Sequence, residues 1–488
     1  MRNVRFFLWN CENGANLQMV ISGRMKKFTN LSTNKRRKIM KKTLVLLALS
    51  LLMLYPVFAA GADEKPQIAA EEQVVTLKIS HNMDFTTIPE AVVDAAQRVN
   101  ARYAKEGKNI RIAFEKDYQT IDWTEYQNNI VFAHKIDDAP DIFAMSDPAG
   151  LMKAGLLLDL TDMVKANSSK FVNNVFTPVT ENGKIYAFPP DLPVRVIYYN
   201  RNGLKAIGWN DADIKALPGK IQSGAFKFEE FLALCQEVVA KGGAKYGLTH
   251  RPGAGADFLD ILNVLGGQYY DEKGTLVFDE KGLTRFFQMT YDNANVTKIT
   301  PQNLNQMGWT TINTMVGTGD SFAYYGPIYS CSYVASAAKL TNEQFAAQEE
   351  FVLFPASNYS AKPFVVAAPQ YIGISAKTKY PEICLDLFAE LANGSADLLA
   401  RHAAKINSLS SVVAANEDPQ IAANPIIKDI AYLADYAITV PTVYGIANYR
   451  SELFKQIVAL ELGQTTPAKA VADMKVQIQL NVKDVIYK

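Results

Sequence analysis

A set of polar and aromatic residues in this chain is suited to holding a polyhydroxylated ligand without reacting with it. Planar polar side chains take hydroxyl hydrogen bonds, and aromatic faces pack on the apolar faces of sugar rings. Loop positions supply both kinds: Asn82 and Asp84, Ser146 and Asp147, Asp191 and Arg195, His250, Tyr325 and Tyr329, then Tyr449 and Arg450. Arg195 can pair with Asp191 across its own turn or meet an acidic sugar. Trp309 reads as a helix-packing residue rather than a platform.

The same residue types carry no catalytic pattern. A serine nucleophile would want a Gly-x-Ser-x-Gly elbow, and the chain has none. The four histidines, His81, His134, His250 and His402, lack the paired spacing of zinc sites. The glycines of His250-Arg251-Pro252-Gly253-Ala254-Gly255-Ala256-Asp257 are followed by no Gly-Lys-Ser/Thr, so the segment reads as a loop leading to a helix from Asp257. Glycoside hydrolysis needs two facing carboxylates, which the order of residues leaves open. No cofactor or metal is expected.

The elements that must position these loops follow from hydrophobic patterning. Val74–Ser80, Asn109–Phe114 and Ala139–Met145 read as strands, separated by helices from Pro89 to about Glu106 and from Asp122 to His134. This β-α-β-α-β order implies a parallel sheet. Its ligand loops, His81–Thr87 and Ser146-Asp147-Pro148, lie at the carboxyl ends of the strands. The segment Ala149–Leu160, with Gly155 in its middle, is expected to cover this sheet. Then Ile185–Phe188 and Val194–Tyr199 read as strands on either side of Phe188-Pro189-Pro190-Asp191-Leu192-Pro193. Three prolines cannot sit inside a regular ladder, and the segment suits a chain passing from one lobe to another. Beyond it come a helix over Glu229–Lys241, a strand over Tyr246–Thr249, a short strand at Thr275–Phe278, and helices over Pro381–Asn393, Pro425–Tyr436, Tyr449–Leu462 and Pro467–Asn481.

A chain of 488 residues exceeds what one core serves, so two lobes are expected. The formal charge of +1 hides an asymmetry: residues 1–39 carry nine Lys/Arg and one Glu, whereas the chain from Asp63 holds 39 basic and 48 acidic residues. So acidic a body argues against nucleic acid as a partner. Met40-Lys41-Lys42, an apolar run to Leu54, Pro56 and Ala60-Gly61-Ala62 form a signal peptide over 40–62 with a cleavage site. Residues 1–39 read as upstream extension. No cysteine follows the apolar run, so no lipid anchor is expected. Cys235, Cys331 and Cys384 then remain, an odd set that makes no disulfide framework. A single Cys331–Cys384 bridge stays open.

Several short motifs fall in one order: Ala139-Pro140-Asp141-Ile142-Phe143, Gly155–Leu160, Gly183–Pro189, Tyr198-Tyr199-Asn200-Arg201, Phe226–Phe231, Gly326-Pro327, Lys362–Val365 and Gly463-Gln464-Thr465-Thr466. In register they resemble extracellular solute-binding proteins of the maltose-binding type, receptors for ABC importers. The resemblance implies an α/β fold of two lobes, each a mainly parallel sheet flanked by helices, joined by a multi-strand hinge. It places lobe 1 at 73–187 and 360–405, lobe 2 at 188–355 and 406–488, and the hinge around 186–195. Implied too are a monomeric periplasmic protein, a carbohydrate ligand and membrane permease subunits as partners. Other polar solutes, such as a polyol, an amino acid derivative or a phosphodiester, are the next ligand classes, and a secreted glycan hydrolase is the alternative from another class. By the same resemblance Asp84 and Asp147 fall where maltose-binding members place hydroxyl-binding carboxylates, and Tyr329 lies beside a stacking Trp. Tyr449-Arg450 replace another stacking Trp, a departure that speaks against a maltodextrin.

Overall fold

A computed structural model describes residues 72–82, 87–146 and 148–488. The expected extension, the signal peptide, Asp84 and Asp147 lie outside the described residues. In chain order the first elements are β1 (Gln73–Asn82), α1 (Thr87–Lys105), β2 (Ile110–Gln119), α2 (Trp123–Lys135), β3 (Ile142–Met145) and a short α3 (Ala149–Lys153). Leu77 and Ile79 of β1 are buried against Ile88, Ala91, Val92, Ala95 and Val99, whose spacing of three and four residues makes one apolar stripe on α1. Of the covering segment 149–160 only Ala149–Lys153 is helical. Gly155 adopts φ +67°, a left-handed turn that glycine takes without penalty, and Leu157 then bridges Ser375 instead of continuing a helix.

The next group is β4 (Val194–Asn200), α4 (Phe228–Ala240), β5 (Tyr246–Thr249), α5 (Asp257–Val264), α6 (Trp309–Thr318), β6 (Ser321–Pro327), β7 (Glu349–Val352) and β8 (Val365–Ala367). The chain ends with β9 (Tyr371–Ile374), α7 (Pro381–Asn393), α8 (Ala396–Lys405), β10 (Ala437–Thr439), α9 (Ile446–Glu461) and α10 (Pro467–Asn481). Helix α7 starts on Pro381 and α10 on Pro467 behind the Thr466 cap, the position where a missing N–H costs nothing. Of the helix expected over 425–436 only a 3₁₀ segment, Ala431–Tyr436, forms; Asn424 Oδ1 accepts from the Ile426 N–H at 2.9 Å and turns the chain first. The short strand at Val277–Phe278 pairs in parallel with Ile486–Tyr487 near the carboxyl terminus.

Two large sheets, with two small two-stranded ones, result among the described residues. The first has the order β9-β3-β1-β2, with β1 parallel to both β2 and β3, and β9 antiparallel to β3. The second has the order β10-β8-β4-β6-β5, with β7 also on β4. Every residue of β4, including Arg195 and Asn200, is buried in the middle of the second sheet. The two-lobed α/β class expected from the sequence is the one adopted. In detail the second sheet is mixed: among its described pairings three are antiparallel and two parallel.

Among the described residues the chain passes between the sheets three times. The first passage bridges Phe188 to Ile372 and Leu192 to Leu409 before entering β4. The second runs antiparallel beside it, from Val366 opposite Arg195 and Ala367 opposite Val194 to β9. The boundary expected at 360 therefore moves past Ala367, because Phe364 and β8 still belong to the second sheet. The third passage follows α8; on it the Ser410 hydroxyl donates to the Pro190 carbonyl at 3.2 Å and the Ser411 hydroxyl to that of Pro189. Prolines supply carbonyls but no N–H, and these serines complete them.

Asp191 ties the passages together. Its Oδ1 accepts from the Gln370 N–H at 3.0 Å, and its Oδ2 lies 3.3 Å from Nε2 of His402, whose Nδ1 is 2.6 Å from Thr87 Oγ1. Asp191 and His402 are buried. A neutral imidazole with its proton on Nε2 satisfies each contact: Thr87 donates to Nδ1, and Nε2 donates to Asp191. Cys235, Cys331 and Cys384 are buried and unbridged, and burial pushes the Cys331 and Cys384 thiols up to about 12. Among the described residues no helix is long and apolar enough to cross a membrane.

Candidate functional site: a cleft between the two sheets

Two cavities open beside the paired passages and share a wall. One, of about 270 Å³, is lined from the first sheet's side by Ser146, Pro148 and Tyr371, and from the second's by Arg195, Ala256, Leu259 and Tyr269. The other, of about 320 Å³, is lined by Arg195, Arg251, Ala256, Asp257, Tyr329, Ala368 and Arg450. Arg195, Ala256, Ala368 and Arg450 border both, so the two form one cleft. A larger hollow, about 1160 Å³ between Tyr270, Phe364 and Tyr436, is lined from the second lobe's own segments.

The cleft wall is built at the carboxyl end of β5 and the start of α5. Arg195, on β4, places its Nε 2.5 Å and its Nη2 2.9 Å from the two carboxylate oxygens of Asp260. Asp257, one turn earlier on α5, lies 3.7 Å from the same Nε. This replaces the expected pairing of Arg195 with Asp191, whose carboxylate is committed to Gln370 and His402. Burial pushes the Asp260 carboxyl up to about 6, against the pull of Arg195. Burial works against the Arg195 charge as well, but Asp260 outweighs it and holds the guanidinium above its ordinary range.

Arg251 lies at the rim. Its Nη1 is 3.2 Å from Asp257 Oδ2, and its guanidinium sits 5.4 Å from the centre of the Trp309 ring. Trp309, expected to pack a helix, is instead 46% exposed at the first position of α6. A Cβ at Gly255 would lie 2.1 Å from an Arg251 nitrogen, so any other residue would push the Arg251 side chain out of this position. The glycine lets Arg251 fold back over the loop.

The remaining expected residues divide. Ser146, Arg195, Tyr329 and Arg450 do line the cleft. Asn82 is at the end of β1, but its amide donates to the Ile121 carbonyl at 2.8 Å and accepts from the Ile121 N–H at 3.3 Å; it clasps the loop that leads to α2. Three assignments are corrected. His250 is buried, its Nε2 2.5 Å from Glu461. Tyr325 lies in β6 with its ring 6.0 Å from His250 and 6.2 Å from Phe258. Tyr449 is fully buried on α9. In each case the aromatic ring faces the core of the second lobe, where packing removes more apolar surface from water than a cleft would. Arg251 and Asp257 stood in the sequence only as a loop and a helix start, and Asp260 and Tyr269 carried no signal of a site. The rule that ligands meet the carboxyl ends of strands, applied to Tyr246–Thr249, points to the first two.

Comparison with known proteins fits this geometry. The family model of bacterial extracellular solute-binding proteins matches residues 84–397. An arabinooligosaccharide-binding protein of Bacillus subtilis is 26% identical over 139 residues, 28% of this chain and 29% of its own. A counterpart from Halalkalibacterium halodurans is 24% identical over 181 residues, covering 36% of this chain and 37% of its own. The matched stretches thus span well under two thirds of these relatives. Among solved structures, the sugar-binding protein MalE of Xanthomonas citri superposes with TM-score 0.66 at 13% identity, covering 83% of this chain and 97% of the other. The cyclic alpha-maltosyl-1,6-maltose binding protein of Arthrobacter globiformis gives TM-score 0.65 at 13% identity over 84% and 99%.

Proposed function

This chain belongs to the bacterial extracellular solute-binding protein family, and we propose that it captures a sugar or small oligosaccharide between its lobes and presents it to the permease of an ABC importer. The observation that carries this reading is the cleft itself: one continuous wall takes Ser146, Pro148 and Tyr371 from one side and Arg195, Ala256 and Tyr269 from the other. A ligand that touches both sides favours the form in which they are close. The bending point falls where the passages run side by side, around Asp191–Arg195 and Val366–Gln370.

The protein does no chemistry on its ligand. Among the described residues Asp257 is the carboxylate that lines the cleft, and it shares one helix with the buried Asp260, both held by Arg195, whereas glycoside hydrolysis sets two carboxyl groups on opposite sides of the bond. We place the working protein in the periplasm, exported through residues 40–62 and monomeric.

The test is to titrate the purified mature protein with a panel of arabino-, malto- and xylo-oligosaccharides while recording melting temperature and X-ray scattering. A cognate sugar is expected to lower the radius of gyration and raise stability, by about 2.7 kcal/mol at 100 times its dissociation constant. Turnover of any of these sugars, or stabilisation without compaction, overturns the reading.

A further inference from the structure

Among the described residues, the charged wall of the cleft around Arg195 and Arg251 is unbalanced in its hydrogen-bonding capacity. A sugar hydroxyl both donates and accepts, and a wall built for neutral sugars offers both. Here the carboxylates are taken up by the guanidiniums: both oxygens of Asp260 by Arg195, one oxygen of Asp257 by Arg251, and the other facing Arg195 Nε. Donors remain over. Arg195 binds Asp260 through Nε and Nη2, which leaves Nη1 with no partner among the described residues. Arg251 binds Asp257 through Nη1 alone. Its Nε is buried without a hydrogen-bond partner. An unmet buried donor of a charged group is costly, and a ligand acceptor would relieve it.

The two guanidiniums flank the same cavity of about 320 Å³, with the start of α5 at Ala256 and Asp257 and the half-buried ring of Tyr329 completing it. Arginine presents a planar fork that fits a carboxylate through paired N–H bonds. Arg251 is held for this by the Trp309 ring beneath it and by the absence of a side chain at Gly255.

Resting on the reading of the cleft as a sugar site, we propose that the ligand is an acidic sugar, and that Arg195 and Arg251 receive the carboxylate of a uronic acid residue. Asp257 and Asp260 remain beside this subsite, so a planar group of single charge suits it better than a phosphate dianion, which they would repel. Ring hydroxyls are then read elsewhere in the cleft, and the carboxylate sets specificity.

The experiment is calorimetric titration of the mature protein with di- and trigalacturonate, aldobiuronate and glucuronate, each beside its methyl ester, together with neutral arabinobiose and maltose and with glucose 6-phosphate. At least one acid is expected to bind tenfold or more tightly than its own ester, with affinity falling as salt rises. Arg251→Gln is expected to lower the preference for the acid over its ester severalfold, leaving what Arg195 alone supplies. Trp309→Ala, which unseats Arg251 without removing its charge, should lose part of the preference. A protein that binds a neutral sugar or the esters as tightly as the acids overturns the acidic ligand and leaves the sugar receptor standing. Preference for glucose 6-phosphate overturns the carboxylate. A chain that binds none of these overturns both.

Discussion

Two buried polar clusters lie four residues apart in the chain, at Asp191 and at Arg195, and they are built on opposite lines. The Asp191 cluster is closed: Thr87, His402, Asp191 and the Gln370 N–H form a chain in which each donor meets an acceptor, and it binds backbone of the two passages to the first lobe. The Arg195 cluster is open. Asp260 and Asp257 hold one guanidinium on the second lobe, and its unused donors border a cavity. Within one short stretch, the chain's polar anchorage changes from one lobe to the other. That contrast supports the bend proposed above more closely than the three prolines do, because each side is fixed to a different sheet.

Removing Arg195 should produce the largest effect. Arg195→Met leaves Asp260, fully buried, without its counter-charge, and an unpaired buried charge costs about 3–5 kcal/mol. Urea unfolding should show that loss, and adding Asp260→Leu should recover most of it. Equal stability of the single variant would mean that the open cluster is not an ion pair at all.

The second effect is in pH. Burial depresses the His81 imidazole to about 4, below an unfolded value of about 6.5. As pH falls the unfolded chain therefore takes the proton first, and stability is lost from about pH 6.5 downward, levelling off below about 4. At pH 4.5 that loss is about 2.5 kcal/mol. His81→Gln should remove it, so the stability gap between variant and wild type should narrow by about that amount between pH 7 and 4.5. A constant gap would show that His81 titrates normally. Asp260, raised by burial to about 6, works the other way: between about pH 4 and 6 the native state holds the extra proton, and stability falls as pH rises.

The smallest effect sharpens the contrast. Asp191→Asn keeps its one oxygen for the Gln370 N–H and turns an NH2 toward His402 Nε2, which can accept once the imidazole proton moves to Nδ1 and Thr87 accepts from it, and should cost only about 1 kcal/mol; Asp260→Asn should cost several times more, because Arg195 then loses its charge partner. Thermal melts of the two variants decide this, and equal losses would mean that the clusters are of one kind.

Much of the frame was legible in the sequence. The limits of α7 and α10, Pro381–Asn393 and Pro467–Asn481, are those expected, because a proline at the first helical position marks a start without any tertiary help. Strand β1 followed from its alternation. What failed had a tertiary cause. Gly155 could continue a weak helix or end one, and only its left-handed backbone decides. Tyr325 and Tyr449 carry the right ring for a sugar platform, but which face of a strand or helix meets the core is set by neighbours far along the chain. The pairing of Arg195 with Asp260 spans 65 residues; Asp191 was nearer in sequence and chemically as good. Only the fold shows that a histidine had already taken it.

The three cysteines of the described chain have a practical consequence. Buried in Cys235, Cys331 and Cys384, with the last two thiols raised to about 12, they should stay dark to maleimide dyes in the native state. A fluorophore pair can therefore be attached at two introduced thiols, Asn128→Cys on α2 and Gln236→Cys on α4, both exposed positions, without first stripping the native sulfur. Opening and closing of the lobes then becomes a distance that can be followed in single molecules, one sugar at a time.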